Sequence, residues 1–401
     1  FDVYCMVGDG ELQEGIVWET LMYAAYKKLE NFCVIVDQND GQLDTYTHLV
    51  FPMIQLSEKF RSFGWQVFEA DGTNHDSVIT GLKEFKKKEQ KGKPFALICR
   101  TKKGQGGFAE LMKKHKVVIL EDDMLPEMNL QKEQRDKRIT EFISRYSSYN
   151  AEEQNALQDL ALKMNLRLNI ENQNIVSISP IKNDVLTKKA ETRDTRISYS
   201  PNDLPVFDKT KQYSATSVIS ETMKIFAQDR RIVSIDADLS STSGLQAGIG
   251  SVDSNRAHNV GVAEANMMNI GEAYAAMGYN TWVSTFCPFF DWKVLRRIAV
   301  GQQERLEAMA DPDSWLSTGH GLDLTFVATA PNFETQTNGA THMGNDDVTI
   351  FNGLAHLNII DVCCPNQLLG ILKWIVEGNK GLIYLRVMRA PSKVVYDSKF
   401  K

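Results

Sequence analysis

The sequence predicts an α/β protein with two tandem, doubly wound parallel-sheet domains joined by a long connector. Apolar strands alternate with amphipathic helices over residues 1–118, the alternation stops over 119–209, and it returns over 210–401. Strands that alternate with helical crossovers are typical of parallel sheets. With 401 residues, of which 43% are hydrophobic and 24% charged, the chain has enough apolar material for two cores.

The first domain begins with a strand and a glycine-containing turn. Residues 1–7 form a short apolar run that predicts a buried strand, and Gly8 and Gly10 on either side of Asp9 allow the backbone to turn closely against an anion. From 12 to 29 the apolar residues follow helical spacing, so amides near the start of this helix would face a phosphate.

Asn39 follows the second apolar strand, residues 32–36, which would bring it to the same end of the sheet as Asp9. A carboxylate, an amide oxygen, a nearby backbone carbonyl and phosphate oxygens form the hard, six-oxygen shell that Mg²⁺ prefers. The spacing of Asp9 and Asn39 therefore predicts a site for a diphosphate and a divalent metal.

The remaining elements continue this organisation. Strands are predicted at 63–69 and 94–99, with a helix at 76–90 that ends in a solvated lysine run. The connector contains one predicted polar helix, at 151–164, and a stretch rich in Ser, Asn, Thr and Lys. In the second domain we predict helices at 215–227 and 264–277 and strands at 232–236, 280–284, 324–329 and 382–387.

Composition excludes several classes of protein. A net charge of −6 gives no reason to expect a nucleic-acid partner, and no apolar run approaches the eighteen residues of a membrane span. The six cysteines lie mostly in apolar runs and form no Cys-x-x-Cys pair, which favours reduced thiols in a cytoplasmic protein. Because the sequence begins at Phe1, inside a predicted core strand, we interpret it as a piece of a longer protein.

The motif in the first domain resembles that of a known family. A strand, the turn Gly8-Asp9-Gly10-Glu11, a helix, a second strand and Asn39 resemble the thiamine-diphosphate motif in order and spacing. The neighbouring pairs Glu14-Gly15 and Trp18-Glu19 are similar to those of the transketolase family. The resemblance covers roughly three quarters of the chain.

The resemblance implies two domains of the thiamine-diphosphate-binding fold. Residues 1–118 would be the diphosphate-binding (PP) domain without its N-terminal part, 119–209 the interdomain linker, and 210–401 the pyrimidine-binding (Pyr) domain. Thiamine diphosphate would be bound with Mg²⁺, or with Ca²⁺ or Mn²⁺ in its place. By this resemblance the metal is held by Asp9, Asn39 and the carbonyl of Gly41, and the cofactor contacts Gly8, Asp9, Gly10, Glu11, Asn39, Asp238, Glu264, Phe286 and Phe289.

Glu264 lies at the junction of a predicted short strand and a helix, in the run Gly261-Val262-Ala263-Glu264-Ala265-Asn266-Met267. A lone Glu at a helix start is usually a cap or a dipole partner. The transketolase-like Pyr domain has a Gly-x-x-Glu-x-Asn-Met run here, and its Glu hydrogen-bonds N1′ of the aminopyrimidine. The resemblance thus implies that Glu264 promotes removal of the thiazolium C2 proton, for which a carboxyl with a raised pKa is suited.

An aromatic cluster follows the strand predicted at 280–284. Such a cluster belongs to the core by default. The resemblance implies instead that Phe286 and Phe289 lie against the pyrimidine. Asp238 matches an Asp-Leu pair that the family keeps near the cofactor, while a plain turn at the end of a strand explains it equally well.

The resemblance also implies residues that contact the substrate. His342 and His115 match catalytic histidines near the reacting centre, and His342, Arg389 and Asn338 match positions that contact the substrate. Neither histidine has the spacing of a zinc ligand.

Two expected phosphate-binding residues are absent. Transketolases carry a basic residue and a histidine where this chain has Tyr213 and Ala330, whereas Thr242 keeps the expected hydroxyl. Charge-assisted bonds are the strong ones, so a sugar phosphate would be bound more weakly here.

By resemblance the protein transfers a two-carbon ketol unit from a ketose donor to an aldehyde acceptor, with thiamine diphosphate and Mg²⁺. Ketoses, aldoses or 2-oxoacids are the expected small-molecule substrates. The resemblance further implies a homodimer whose active sites are shared between subunits.

Two other functions remain open. An E1-like component of a 2-oxoacid dehydrogenase, or an enzyme like deoxyxylulose-phosphate synthase, has the same tandem domain order. A catalytically silent subunit or binding module of this fold is the alternative of another class. The joint presence of Asp9, Asn39 and Glu264 argues against a silent subunit.

Overall fold

The structure is a computed structural model that describes residues 1–42, 45–87, 91–105, 121–172, 174–177, 194, 196–310, 320–334, 339–379 and 381–396. The chain divides into two compact units, Phe1–Asn183 and Asp184–Lys401.

Unit 1 contains a four-stranded parallel sheet in the order β1-β2-β4-β3. Its strands are β1 (Val3–Gly8), β2 (Phe32–Gln38), β3 (Gln66–Asp71) and β4 (Phe95–Arg100). The helices between them are α1 (Gly15–Tyr26), α2 (Thr47–Val50), α3 (Leu56–Ser62) and α4 (His75–Lys86). Gly8 pairs with Asp37, so β1 and β2 end at the same edge of the sheet, as predicted.

The core of unit 1 forms around β2 and β4. Its fully buried side chains include Leu12, Val36, Phe60, Trp65, Phe85, Phe95 and Ile98. The prediction that β1 is buried is wrong, because its side chains are mostly exposed and Met6 is 70% exposed. β1 is the edge strand, and its single neighbour among the described residues is β2.

The segment predicted as a connector contains more structure than expected. It holds α5 (Glu121–Ser148), α6 (Ala151–Lys163) and an antiparallel hairpin of β5 (Leu166–Asn169) and β6 (Asn174–Ser177). Asn150 and Glu153 form a reciprocal capping box at the start of α6, which explains why this helix begins where predicted. The prediction of one helix in this segment is wrong, because α5 was missed.

Unit 2 contains a six-stranded parallel sheet in the order β12-β13-β11-β10-β8-β9, and β7 pairs with β14 in a small antiparallel ladder. Its strands are β7 (Gln212–Tyr213), β8 (Ile232–Asp236), β9 (Ala257–Asn259), β10 (Asn280–Phe286), β11 (Leu324–Thr329), β12 (Leu357–Asp361), β13 (Leu382–Val387) and β14 (Ser392–Lys393). The helices are α7 (Ala215–Phe226), α8 (Ser240–Ser243), α9 (Leu245–Gly250), α10 (Glu264–Ala276), α11 (Trp292–Ala310), α12 (Asp347–Phe351) and α13 (Pro365–Val376).

The four central strands of unit 2, β8, β10, β11 and β13, are buried along their whole length. This burial is typical of parallel sheets covered on both faces. The predicted α/β fold with parallel sheets is confirmed. In the described part of the chain, no helix combines the length and apolar character needed to cross a membrane.

Candidate active site

The turn after β1 is tied to the turn after β2. The amide of Asp9 donates to the carbonyl of Asp37 at 3.2 Å. The Asp9 carboxylate, which is 3% exposed, accepts from the amides of Gly10 at 3.0 Å and Asp40 at 2.9 Å. The carboxylate of Asp40 turns away and pairs with His48. Asp9 is thus held by backbone amides at the carboxyl end of the sheet.

Asn39 and Gly41 lie in the same turn. The Asn39 amide nitrogen donates to the Asp37 carboxylate at 2.8 Å, and its oxygen accepts from the Gly41 amide at 2.9 Å. The carbonyl of Gly41 accepts from the ammonium of Lys103 at 3.4 Å. A Cβ on Gly41 would lie 2.2 Å from Cδ of Lys103, so a larger residue here would displace the Lys103 side chain.

The residues in this turn fit a divalent metal. Burial raises the pKa of the Asp9 carboxyl, and this effect exceeds the opposing hydrogen bonds from the backbone amides of Asp40 and Gly10. A bound cation would stabilise this carboxylate. The predicted donors are all oxygens, which suits Mg²⁺. A metal at the Gly41 carbonyl would have to displace the ammonium of Lys103.

The described residues contain no group of three or more His, Cys, Asp or Glu side chains that could hold a metal. The predicted site instead combines one carboxylate with an amide and a carbonyl oxygen.

The turn Gly8-Asp9-Gly10-Glu11 contains its own hydrogen bonds. The amide of Gly8 donates to the Glu11 carboxylate at 2.6 Å, and the amide of Gly10 donates to Asp9. A 3-10 turn over 11–13 precedes α1, which begins at Gly15. Contact of Gly8, Gly10 and Glu11 with a cofactor stays a prediction, and a diphosphate would have to replace the internal bonds of the two amides.

Glu264 is the first residue of α10 and is half-buried. It follows a sharp turn in which Gly261 adopts a φ of 77°, a conformation that favours glycine. Its position at a helix N-terminus is electrostatically favourable for a carboxylate.

Four predicted site residues meet in unit 2. Phe286 ends β10, Phe289 follows in a 3-10 turn, and His342 ends a second 3-10 turn. The ring centres of Phe286 and Phe289 are 5.7 Å apart, and that of His342 lies 5.7 Å from Phe286 and 5.0 Å from Phe289. The guanidinium of Arg389 lies 5.3 Å from the centre of the Phe286 ring. The structure therefore brings four predicted residues into one cluster.

Asp238 lies in an exposed turn after β8 with a φ of 58°, and its amide donates to the Asn259 side chain at 3.2 Å. Both interpretations of this residue stay open. His115 and Asn338 lie outside the described residues.

A buried carboxylate at the end of β8 was not predicted from the sequence. Asp236 is fully buried and accepts hydrogen bonds from the hydroxyls of Ser243, at 3.0 Å, and Ser284. Burial raises the pKa of Asp236 to about 6, although both hydroxyls oppose the shift. Asp236 was overlooked because it ends the apolar run over 232–236, and an Asp at the end of a strand usually belongs to a turn.

A hydrogen-bond network around Arg386, which is 4% exposed, was also not predicted from the sequence. Its guanidinium donates to Asp347 at 3.0 Å, Asp361 at 2.6 Å, Asn332 at 3.1 Å and the carbonyl of Gly344 at 3.1 Å. This one side chain joins β12, β13, the start of α12 and the turn after His342. A lone Arg in the otherwise apolar run over 382–387 was the available signal.

Tyr384 extends this network toward the aromatic cluster. Its hydroxyl lies 2.9 Å from the Asp347 carboxylate and 3.3 Å from the carbonyl of Cys287, and both are acceptors. Cys287 directly follows Phe286. The network thus connects both turns that carry the rings of the cluster.

Comparison with known proteins agrees with this architecture. Residues 1–158 match the family described as "Transketolase, thiamine diphosphate binding domain", and residues 212–392 match "Transketolase, pyrimidine binding domain". Transketolase-like protein 2 of Mus musculus is 22% identical over 404 residues, which is 100% of this chain and 54% of that protein. The 6-deoxy-6-sulfo-D-fructose transketolase subunit SqwG of Clostridium sp. (strain MSTE9) is 37% identical over 109 residues, 27% of this chain and 39% of that subunit.

Solved structures show the same fold. The transketolase of Campylobacter jejuni superposes with a TM-score of 0.66 at 16% identity, covering 100% of this chain and 58% of that one. The transketolase of Leishmania mexicana gives a TM-score of 0.63 at 18% identity, covering 98% of this chain and 56% of that one.

Fold and matched domains define a protein with tandem thiamine-diphosphate-binding and pyrimidine-binding domains. The chain belongs to the transketolase family. The chain matches 54% of the length of Transketolase-like protein 2 and 39% of the length of SqwG.

Proposed function

We propose that the protein binds thiamine diphosphate with Mg²⁺ and transfers a two-carbon ketol unit from a ketose to an aldehyde. The observation that carries this proposal is the link between the buried Asp9 carboxylate and the turn containing Asn39 and Gly41, made by the amide of Asp40. This turn offers carboxylate, amide and carbonyl oxygens at the carboxyl end of a parallel sheet, where ligands of open α/β sheets bind.

In the proposed site each domain has its own task. Asp9, Asn39 and the Gly41 carbonyl would hold the metal, whose charge would bind the diphosphate. Phe286 and Phe289 would bind the aminopyrimidine through their rings. Bound thiamine diphosphate would supply the electron sink for cleavage of a carbon-carbon bond next to a carbonyl.

Glu264 would hold a proton at N1′ of the aminopyrimidine and thereby promote loss of the C2 proton. His342 would donate hydrogen bonds to substrate oxygens, and its contacts with both phenylalanine rings would fix its orientation. Asp238 near the cofactor, and His115 and Asn338 near the substrate, remain part of this proposal on the basis of the resemblance.

We further propose that the active protein is an assembly, most simply a homodimer with shared active sites. Some relatives are named as subunits, among them SqwG and SqwH of 6-deoxy-6-sulfo-D-fructose transketolase, so a separate partner chain is the alternative. The six cysteines are all free thiols, which supports a reducing, cytoplasmic location.

An assay of the complete protein with thiamine diphosphate and Mg²⁺ tests the proposed function. We expect an aldehyde acceptor to be lengthened by two carbons at the expense of a ketose donor. A parallel series with 2-oxoacids tests the E1-like alternative. Cofactor binding without turnover of any ketose, across free and phosphorylated sugars, would contradict ketol transfer.

A further inference from the structure

A polar groove in unit 2 begins beside the aromatic cluster. It is lined by Ser214, Thr216, Ser241, Thr242, Glu334 and Arg389. The guanidinium of Arg389 packs over the ring of Phe286, which in turn contacts His342. A substrate held at the proposed reaction centre would therefore extend its distal end into this groove.

The hydroxyl groups of the groove present mainly acceptors. Thr216 donates its hydroxyl proton to the carbonyl of Thr242 at 2.6 Å, and Thr242 donates its own to the carbonyl of Leu239 at 2.8 Å. The hydroxyl of Ser214 donates to that of Ser217 at 3.3 Å. Because a hydroxyl has one proton and two lone pairs, the Thr216 and Thr242 oxygens can only accept while these bonds are kept. The Ser214 oxygen also accepts from the amide of Ser217 at 3.2 Å.

Glu334 adds a carboxylate to this acceptor-rich surface. One of its oxygens accepts from the amide of Ala390, the residue after Arg389. The other oxygen is buried and has no hydrogen-bond partner among the described residues. Arg389 is the only cation among the described residues lining the groove, so its charge is balanced by that of Glu334.

The positions where phosphate-binding groups were expected add no cation. Ala330 is fully buried, and the hydroxyl of Tyr213 accepts from the amide of Asp208 at 2.9 Å. A phosphate dianion offers only acceptors and needs donors and positive charge. A sugar hydroxyl can both donate and accept, which matches the groove.

We propose that this groove selects the uncharged, polyhydroxylated end of a substrate, and that Glu334 is the residue that disfavours a terminal phosphate. In this arrangement Glu334 and the Ser and Thr oxygens accept hydrogen bonds from sugar hydroxyls, and Arg389 donates to a hydroxyl oxygen. This proposal rests on the proposed function, because it names the class of substrate for the same site.

The test compares the binding of a ketose and its terminally phosphorylated form. Binding is measured by calorimetry on the complete protein with thiamine diphosphate and Mg²⁺, in a Glu264→Gln background, so that the donor is not consumed. We expect Glu334→Gln to shift the affinity ratio toward the phosphorylated sugar by about tenfold, because the amide removes the charge and supplies a donor.

Glu221→Gln is the matched control, since the exposed side chain of Glu221 on α7 pairs with Lys224 and carries the same charge. It should change the ratio by less than about twofold. A Glu334→Gln shift no larger than this control, no detectable binding of the free sugar, or a starting preference for the phosphorylated sugar of about a hundredfold or more would overturn the proposal.

Turnover of both sugars by the protein with Glu264 intact is recorded separately. Failure of both to support ketol transfer contradicts the proposed function, while the binding ratio still decides whether the groove prefers an uncharged end.

Discussion

Asp9 and Glu264 are assigned different tasks, and single substitutions separate them. Glu264→Gln keeps the shape of the side chain but cannot exchange a proton, so deuterium exchange at C2 of the bound cofactor should slow by roughly 10² to 10⁴. Cofactor affinity, measured by titration of the same variant, should stay within about threefold. Exchange at the wild-type rate with saturating cofactor would show that another group activates C2.

Asp236 makes stability depend on pH. Its pKa of about 6 in the folded protein lies above the ordinary value of 3.8, so the folded state binds more protons than the unfolded state between these values. Stability from this group is therefore present below about pH 4 and is lost as the pH rises through about 6, a change on the order of 3 kcal/mol.

Asp236→Asn removes this titration. We expect the free energy of unfolding of the variant, relative to wild type, to rise by roughly 3 kcal/mol between pH 4 and pH 7. Denaturant unfolding of both proteins at pH 4 and at pH 7 measures these free energies. For each protein, the value at pH 4 is compared with its own value at pH 7. If the free energies of unfolding of variant and wild type differ by the same amount at both pH values, Asp236 does not titrate in this range.

At the scale of elements, the Arg386 network fixes the turns that carry the aromatic cluster. Arg386→Met would leave the buried carboxylate of Asp347 without its cation and should cost about 3–5 kcal/mol of stability. Denaturant unfolding measures this loss. Lys224→Met, on the exposed face of α7, is the control and should cost less than about 0.5 kcal/mol. Equal losses in the two variants would show that the network contributes little.

The elements that sequence predicted best are the buried parallel strands. The ranges 232–236, 324–329 and 382–387 agree with β8, β11 and β13, because strands buried on both faces appear as continuous apolar runs. Helix α5 was missed because its apolar stripe, Ile139, Phe142, Ile143 and Tyr146, is confined to its last turns, while the preceding turns are mostly polar and contain Pro126. The burial of β1 was predicted wrongly because the exposure of an edge strand depends on which other elements pack against it. The local sequence does not encode those contacts.

At the scale of the whole molecule, the tandem α/β organisation followed from the pattern, and the cluster of Phe286, Phe289, His342 and Arg389 followed from the family resemblance. Nothing in their spacing predicts that residues more than one hundred positions apart meet. The partners of Arg386 are likewise spread from 332 to 361, so their meeting depends on strand order. Contacts of this kind, between residues far apart in the sequence, depend on the order of the strands in the sheet and have no local sequence signal.

The proposed sharing of sites between two copies can be tested by complementation. If Asp9 of one copy and Glu264 of another serve the same site, Asp9→Asn and Glu264→Gln proteins should each be nearly inactive. Dissociating, mixing and reassociating equal amounts should restore about a quarter of wild-type activity, since half of the dimers are mixed and each has one intact site. Reassociated samples of each variant alone are the controls. No recovery in the mixture would contradict shared sites.

Metal-dependent binding of thiamine diphosphate tests the central proposal most directly. Calorimetric titration of the complete protein should show one saturable site per chain with Mg²⁺ and none after chelation. Asp9→Asn should weaken binding at least about tenfold, or about 1.4 kcal/mol, while Asp136→Asn on exposed α5 should leave it unchanged. Binding that is unaffected by chelation and by Asp9→Asn, or no binding at all, would contradict a metal-bound diphosphate at this turn.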